Sequence, residues 1–166
     1  MPGTDMIMYE EEFQQIRVIL QKLKEDSNAK MVFLVDKNGQ QIAYNGDINN
    51  LDTTSLASLT AGNVAATDGL ARLIGEKEFS VLFHEGERDN IHISIVGRRV
   101  ILVVIFDERS SLGLVRLRVK KASNELDAVF NHILEKVEKE KEAGSAGFES
   151  PFAEITDEDI DSLFSE

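Results

Sequence analysis

The segment DTTSLASLTAGNVAATDGLARLIG, running from Asp52 to Gly75, holds the pattern from which the fold is read. Asp52 and the hydroxyls of Thr53, Thr54 and Ser55 are candidate N-caps, because their side-chain oxygens can accept the free N–H groups of a first helical turn. Gly75 is placed to end the helix, since glycine adopts the left-handed conformation that closes many helices. At about 100° per residue, Leu56, Leu59, Ala66, Leu70, Leu73 and Ile74 fall on one arc, which is expected to be the core stripe. Ser58, Ala61, Gly62, Ala65 and Gly69 fall on a second arc, small enough for another backbone to approach closely. Glycine inside a helix costs about 1 kcal/mol against alanine, and Gly62 and Gly69 place it there twice. A compensating close contact is expected, either with this protein's own sheet or a symmetry mate, or with a foreign partner.

Met8 to Asp26, on the N-terminal side, carries Phe13, Ile16, Leu20 and Leu23 at helical spacing among polar residues and reads as an amphipathic helix. Lys30 to Asp36 is a short apolar strand, Asp36-Lys37-Asn38-Gly39 a hairpin turn, and Gln40 to Tyr44 the returning strand. Beyond the central helix the period changes to two from Glu78. Phe79, Val81 and Phe83 alternate along one strand, and Ile91, Ile93 and Ile95 along the next, with Gly86 and Gly97 in the connections. Val100 to Phe106 (VILVVIF) is continuously apolar, as expected of a central strand covered on both faces.

Ser110 to about Lys141 is helical, with Leu114, Leu117, Ala122, Leu126, Val129, Phe130, Ile133 and Val137 as its apolar stripe. The order is helix, two strands, helix, three strands, helix: an α/β sandwich on one mainly antiparallel, five-stranded sheet. Residues 1–141 form this domain and 142–151, rich in Ala, Gly and Ser and closed by Pro151, read as a flexible linker. Residues 152–166 read as an acidic amphipathic helix, with Asp157 and Asp159 near its start and Ile160, Leu163 and Phe164 on one face.

The composition restricts the function classes. The chain of 166 residues has no cysteine, which removes disulfides, thiolate metal sites and a cysteine nucleophile. Its net charge of −12 disfavours nucleic acid and anionic membranes, and seven of the acids lie in residues 149–166. No signal peptide or membrane span is legible, so the cytoplasm is the expected compartment. His84, His92 and His132 show no metal-ligand spacing and are expected in structural or solvent-exposed roles. No GxxxxGK[ST] or GxGxxG pattern occurs, and Asp36, Asp52 and Asp107 are explained by turns and caps. No catalytic residue, metal or cofactor is expected, and binding is the better class.

The segments FLVDKNGQ (Phe33 to Gln40), DTTSLASLTAGNVAAT (Asp52 to Thr67), GLARLIGE (Gly69 to Glu76), FHEGERDNIHISIVG (Phe83 to Gly97), VVIFDERSSLGLVRLRVKKA (Val103 to Ala122) and SPFAEITDEDIDSLFSE (Ser150 to Glu166) resemble the Roadblock/dynein light chain family. The resemblance implies an αββαβββα fold and a homodimer that joins two sheets and juxtaposes the second helices. It further implies a regulator of a small Ras-like GTPase in bacterial cell polarity and motility, acting from the cytoplasm and at a cell pole.

On that reading Ser58, Ala61, Gly62, Ala65, Gly69 and Arg72 belong to the GTPase platform, and Phe79, Val81 and Phe83 to the dimer edge. Phe152, Ile155, Asp157, Asp159, Ile160, Leu163 and Phe164 form a second contact with the GTPase. The expected activity is GTPase activation without an arginine finger, since Arg72, Arg88, Arg98, Arg109, Arg116 and Arg118 lack a finger-loop context. The alternatives are a scaffold that binds a GTPase without accelerating it, and a free-standing enzyme.

Overall fold

The computed structural model describes residues 4–47, 49–97 and 100–145. Eight elements follow in the order α1 (Thr4–Ser27), β1 (Met31–Asp36), β2 (Gln41–Gly46), α2 (Thr53–Leu73), β3 (Val81–Glu85), β4 (Asn90–Val96), β5 (Val100–Phe106) and α3 (Leu112–Ser145). The five strands make one antiparallel sheet in the order β2-β1-β5-β4-β3. The αββαβββα order and antiparallel sheet are those expected from the sequence.

The β1–β2 hairpin forms because Asp36 Oδ1 accepts the N–H groups of Asn38 (2.8 Å) and Gln40 (2.9 Å), while Gly39 takes the left-handed conformation (φ 91°) that the turn requires. Burial raises the Asp36 carboxyl pKa above its ordinary value, against the lowering effect of its backbone hydrogen bonds to Gln40, Asn38 and Gly39.

Each sheet face has its own cover. Val32, Leu34, Leu102, Val104 and Phe106 meet Ile16, Leu20 and Leu23 of α1 and Val115, Val119, Ala122 and Leu126 of α3. Met31, Phe33, Ile93, Ile101 and Val103 meet Ala57, Ala61 and Val64 of α2. β5 lies at the centre, buried on both sides. Between α1 and α3, the carboxylate of Glu12, 1% exposed, accepts a 2.6 Å bond from Lys136 Nζ. An unpaired buried carboxylate would be costly, and this pairing offsets that cost.

Several sequence expectations are corrected. β3 starts at Val81, so Phe79 precedes it. In α3, Leu117 is exposed and Leu114 half-buried, while Val115 and Val119 take the core positions. Ser111 opens α3, its carbonyl and hydroxyl accepting the N–H groups of Val115 and Leu114, and the packing of Val115 and Val119 against the sheet fixes which face of the helix is buried. α3 also continues through Ser145, into the stretch read as linker, because a helix once nucleated extends at little cost per residue. The remainder of that stretch, and the acidic segment with Phe152, Ile155, Asp157, Asp159, Ile160, Leu163 and Phe164, lie outside the described residues, as does Arg98.

Candidate partner-binding surface

α2 is held firmly at both ends. Asp52 caps it, accepting the Ser55 N–H at 3.0 Å and the Ser55 hydroxyl at 2.7 Å. These hydrogen bonds, the side-chain one first, hold the Asp52 pKa below its ordinary value. At the other end Gly75 has φ 81°, and the N–H groups of Gly75 and Glu76 bond the carbonyls of Arg72 (3.2 Å) and Ala71 (2.8 Å). This paired closure satisfies two carbonyls that the helix would otherwise leave free.

The buried face of α2 is neither of the two arcs expected from the sequence. Ala57, Thr60, Ala61, Val64 and Ala71 face the sheet. Leu59, Leu70, Leu73 and Ile74 point outward, 72%, 59%, 83% and 69% exposed, with Ala66 between them, and only Leu56 of the expected stripe packs partly against the core. The physical reason is volume: the sheet below α2 already carries Met31, Phe33, Ile93, Ile101 and Val103, so small side chains on the helix let the two surfaces close. The signal was present as the small-residue set Ala57, Ala61, Val64 and Ala71 at helical spacing.

Of the platform residues expected from the sequence, Ser58, Gly62, Ala65, Gly69 and Arg72 share one exposed strip. Ala61 does not: it is 8% exposed and packs on the sheet. A Cβ added at Gly62 or Gly69 would meet nothing within 4 Å. Packing on this protein's own sheet therefore explains neither glycine among the described residues, which leaves a symmetry mate or a foreign partner as the reason for the small face.

β3 lies beside this surface. Among the described residues it pairs only with β4, and its other side is a sheet edge. His84 on β3 and Asn63 on α2 are joined by a 2.9 Å bond between His84 Nε2 and Asn63 Nδ2, which ties the edge to the helix. Val81 is largely exposed on the edge, whereas Phe83 turns inward and stacks with Phe106 at a centroid distance of 6.1 Å. Phe79 is half-buried ahead of the strand. Among the described residues no group of three or more His, Asp or Glu side chains could hold a metal, and no helix is long and apolar enough to cross a membrane.

A five-stranded antiparallel sheet with one helix on one face and two on the other defines an α/β sandwich of αββαβββα order. Residues 15–106 match the model of the Roadblock/LC7 domain, and the chain belongs to that family. Within it, the chain is similar to MglB of Myxococcus xanthus, with 63% identity and a TM-score of 0.72 over 74% of this chain and 92% of that one. It is also similar to the gliding protein MglB of Thermus thermophilus, with 32% identity and a TM-score of 0.68 over 71% and 90% of the respective chains. A further structure, described as MglB with a tetrameric arrangement, shares 30% identity with a TM-score of 0.70 over 74% and 92%. No curated protein sequence matches the chain.

Proposed function

We propose that this protein is a homodimeric GTPase-activating regulator of a Ras-like GTPase of the MglA type, in the control of bacterial cell polarity and motility. The observation that carries the proposal is the outward face of α2, where Leu59, Leu70 and Leu73 stand exposed beside Gly62 and Gly69. Leu70, Leu73 and Ile74 stand exposed together at one end of the helix and Leu59 about three turns away, and apolar side chains grouped on one exposed face mark an interaction surface. Similarity to the MglB structures supports the choice of partner.

In this reading the open edge of β3, with Val81 exposed and Phe79 and Phe83 behind it, joins the same edge of a second copy, and pairing relieves the aggregation liability of a free strand. Two α2 helices then stand side by side. Ser58, Gly62, Ala65, Gly69 and Arg72, with the neighbouring leucines, form the platform that receives one GTPase, while Ala61 supports it from beneath. The dimer inserts no arginine finger. It selects the arrangement of the GTPase's own catalytic groups in which hydrolysis is fast, through preferential binding to that state. The acidic segment 152–166 supplies a second, separate contact to basic groups on the GTPase.

Single-turnover GTP hydrolysis by the cognate GTPase, with and without the full chain, tests the proposal. Acceleration with no hydrolysis by this chain alone is expected. Binding without acceleration would replace the activator by a scaffold.

A further inference from the structure

The second feature that stability alone does not explain lies on the sheet face opposite α2. There the β3–β4 edge and the first half of α3 bound a groove of about 380 Å³. His92 and Ser94, two apart on β4 and so on one face, line it. They are 1% and 6% exposed, yet neither ring nitrogen of His92 nor the hydroxyl of Ser94 has a hydrogen-bond partner among the described residues. Buried polar groups are ordinarily paired, and the β5 residues opposite these two, Val104 and Leu102, are apolar. Two polar residues without partners at adjacent same-face positions point to a ligand.

The opposite wall has matching chemistry. Arg116 and Lys120 stand one helical turn apart on α3, both lining the groove, with Ser123 and Asn124 beyond them. Among the described residues neither cation makes a hydrogen bond or ion pair, although the chain holds 30 acids for 18 bases. Among the described residues no carboxylate lines the groove. An imidazole N–H, hydroxyls, an ammonium and a guanidinium all donate hydrogen bonds, and two positive charges match one dianionic head. Val81 and Val119 supply an apolar margin beside them.

We propose that the groove between β4 and α3 binds a small phosphate-bearing molecule, its oxyanion held by Arg116 and Lys120 over a floor of His92 and Ser94. The site lies on the far side of the sheet from the α2 platform and borders, at Val81, the β3 edge proposed to join a second copy. The source of the phosphate, free or carried by an organic group, is distinguished by experiment.

The full-length protein, labelled with nitrogen-15, is titrated at constant ionic strength with inorganic phosphate, phenyl phosphate and acetate while the His92 ring and the α3 amides are followed by NMR. A saturable shift confined to His92, Ser94 and residues 116–124 is expected with phosphate. Arg116→Gln and Lys120→Gln should each weaken it about tenfold, the size expected for one charge-assisted hydrogen bond. Ser94→Ala, a mild change, keeps the test informative if a His92 variant fails to fold, and should also weaken binding. Saturation by phenyl phosphate at lower concentration than inorganic phosphate assigns the ligand to a phosphorylated organic molecule, and equal saturation to free phosphate. The absence of a saturable shift across the millimolar range, a shift unaffected by both cation variants, or acetate binding as tightly as phosphate would overturn the proposal.

Discussion

Ala61 and Ala65 are four residues apart in one helix and have the same side chain, but they face different environments. Ala61 lies between α2 and the strands, against a layer that includes Phe33 and Ile101. Ala65 is exposed. Ala61→Arg should therefore lower unfolding stability by at least about 2 kcal/mol, through overpacking and a buried charge, and Ala65→Arg should stay within about 0.5 kcal/mol of the parent; urea denaturation measures both. Equal stabilities would contradict the placement of the helix.

His92 gives a pH signature at the same scale. Burial first, then the nearby Arg116, holds its pKa below the ordinary value, with Lys120 also lining the space beside it. The folded state therefore resists the proton that the unfolded state takes up. Stability from this residue is complete above the unfolded pKa of about 6.5 and declines as pH falls below it toward the folded value. Denaturation midpoints should fall as the pH is lowered from about 6.5, and His92→Gln should flatten that part of the profile. An unchanged profile in the variant would exclude His92 as the titrating group.

At the scale of elements, α2 is joined to the sheet by small residues and shows its larger ones to solvent. Such a helix contributes to its own domain through close approach and retains its leucines for a second molecule. Replacing both Leu59 and Leu70 by glutamate should leave the unfolding midpoint of the separated chain almost unchanged, since both are more than half exposed. The same change should abolish GTPase binding and weaken self-association, read by light scattering and by titration with the GTPase. Parental behaviour in both assays would remove the platform. The hairpins, the Asp52 cap and the Gly75 closure were legible because turn and cap chemistry involves neighbours in sequence. The starts of β3 and α3 were displaced by a few residues because strand pairing and helix phase depend on what lies opposite.

The whole molecule divides its charge unevenly, with seven acids and no base in residues 149–166. Removing residues 150–166 should weaken the complex with the GTPase and reduce its dependence on salt, while the folded domain and its self-association stay as they were. Interactions between exposed charges are screened over about 8 Å at physiological ionic strength, so a tail acting by charge leaves that signature. Equal affinity and equal salt dependence of the two forms would limit the tail to solubility.

The order of elements and the central position of the VILVVIF strand were legible in the sequence, because periodicity, turns and continuous apolar runs are properties of one stretch of chain; the family was legible through the resemblance of whole segments. Which face of α2 is buried, and that the polar atoms of His92 and Ser94 beneath α3 have no partner among the described residues, came only from the folded molecule. Helical spacing groups Leu59 with Leu70 and Ala57 with Ala61, but it does not say which group meets the sheet. That choice follows from the volume already filled by Phe33, Ile93, Ile101 and Val103. Burial belongs to two surfaces fitted together, and one strand or helix read alone carries only half of it.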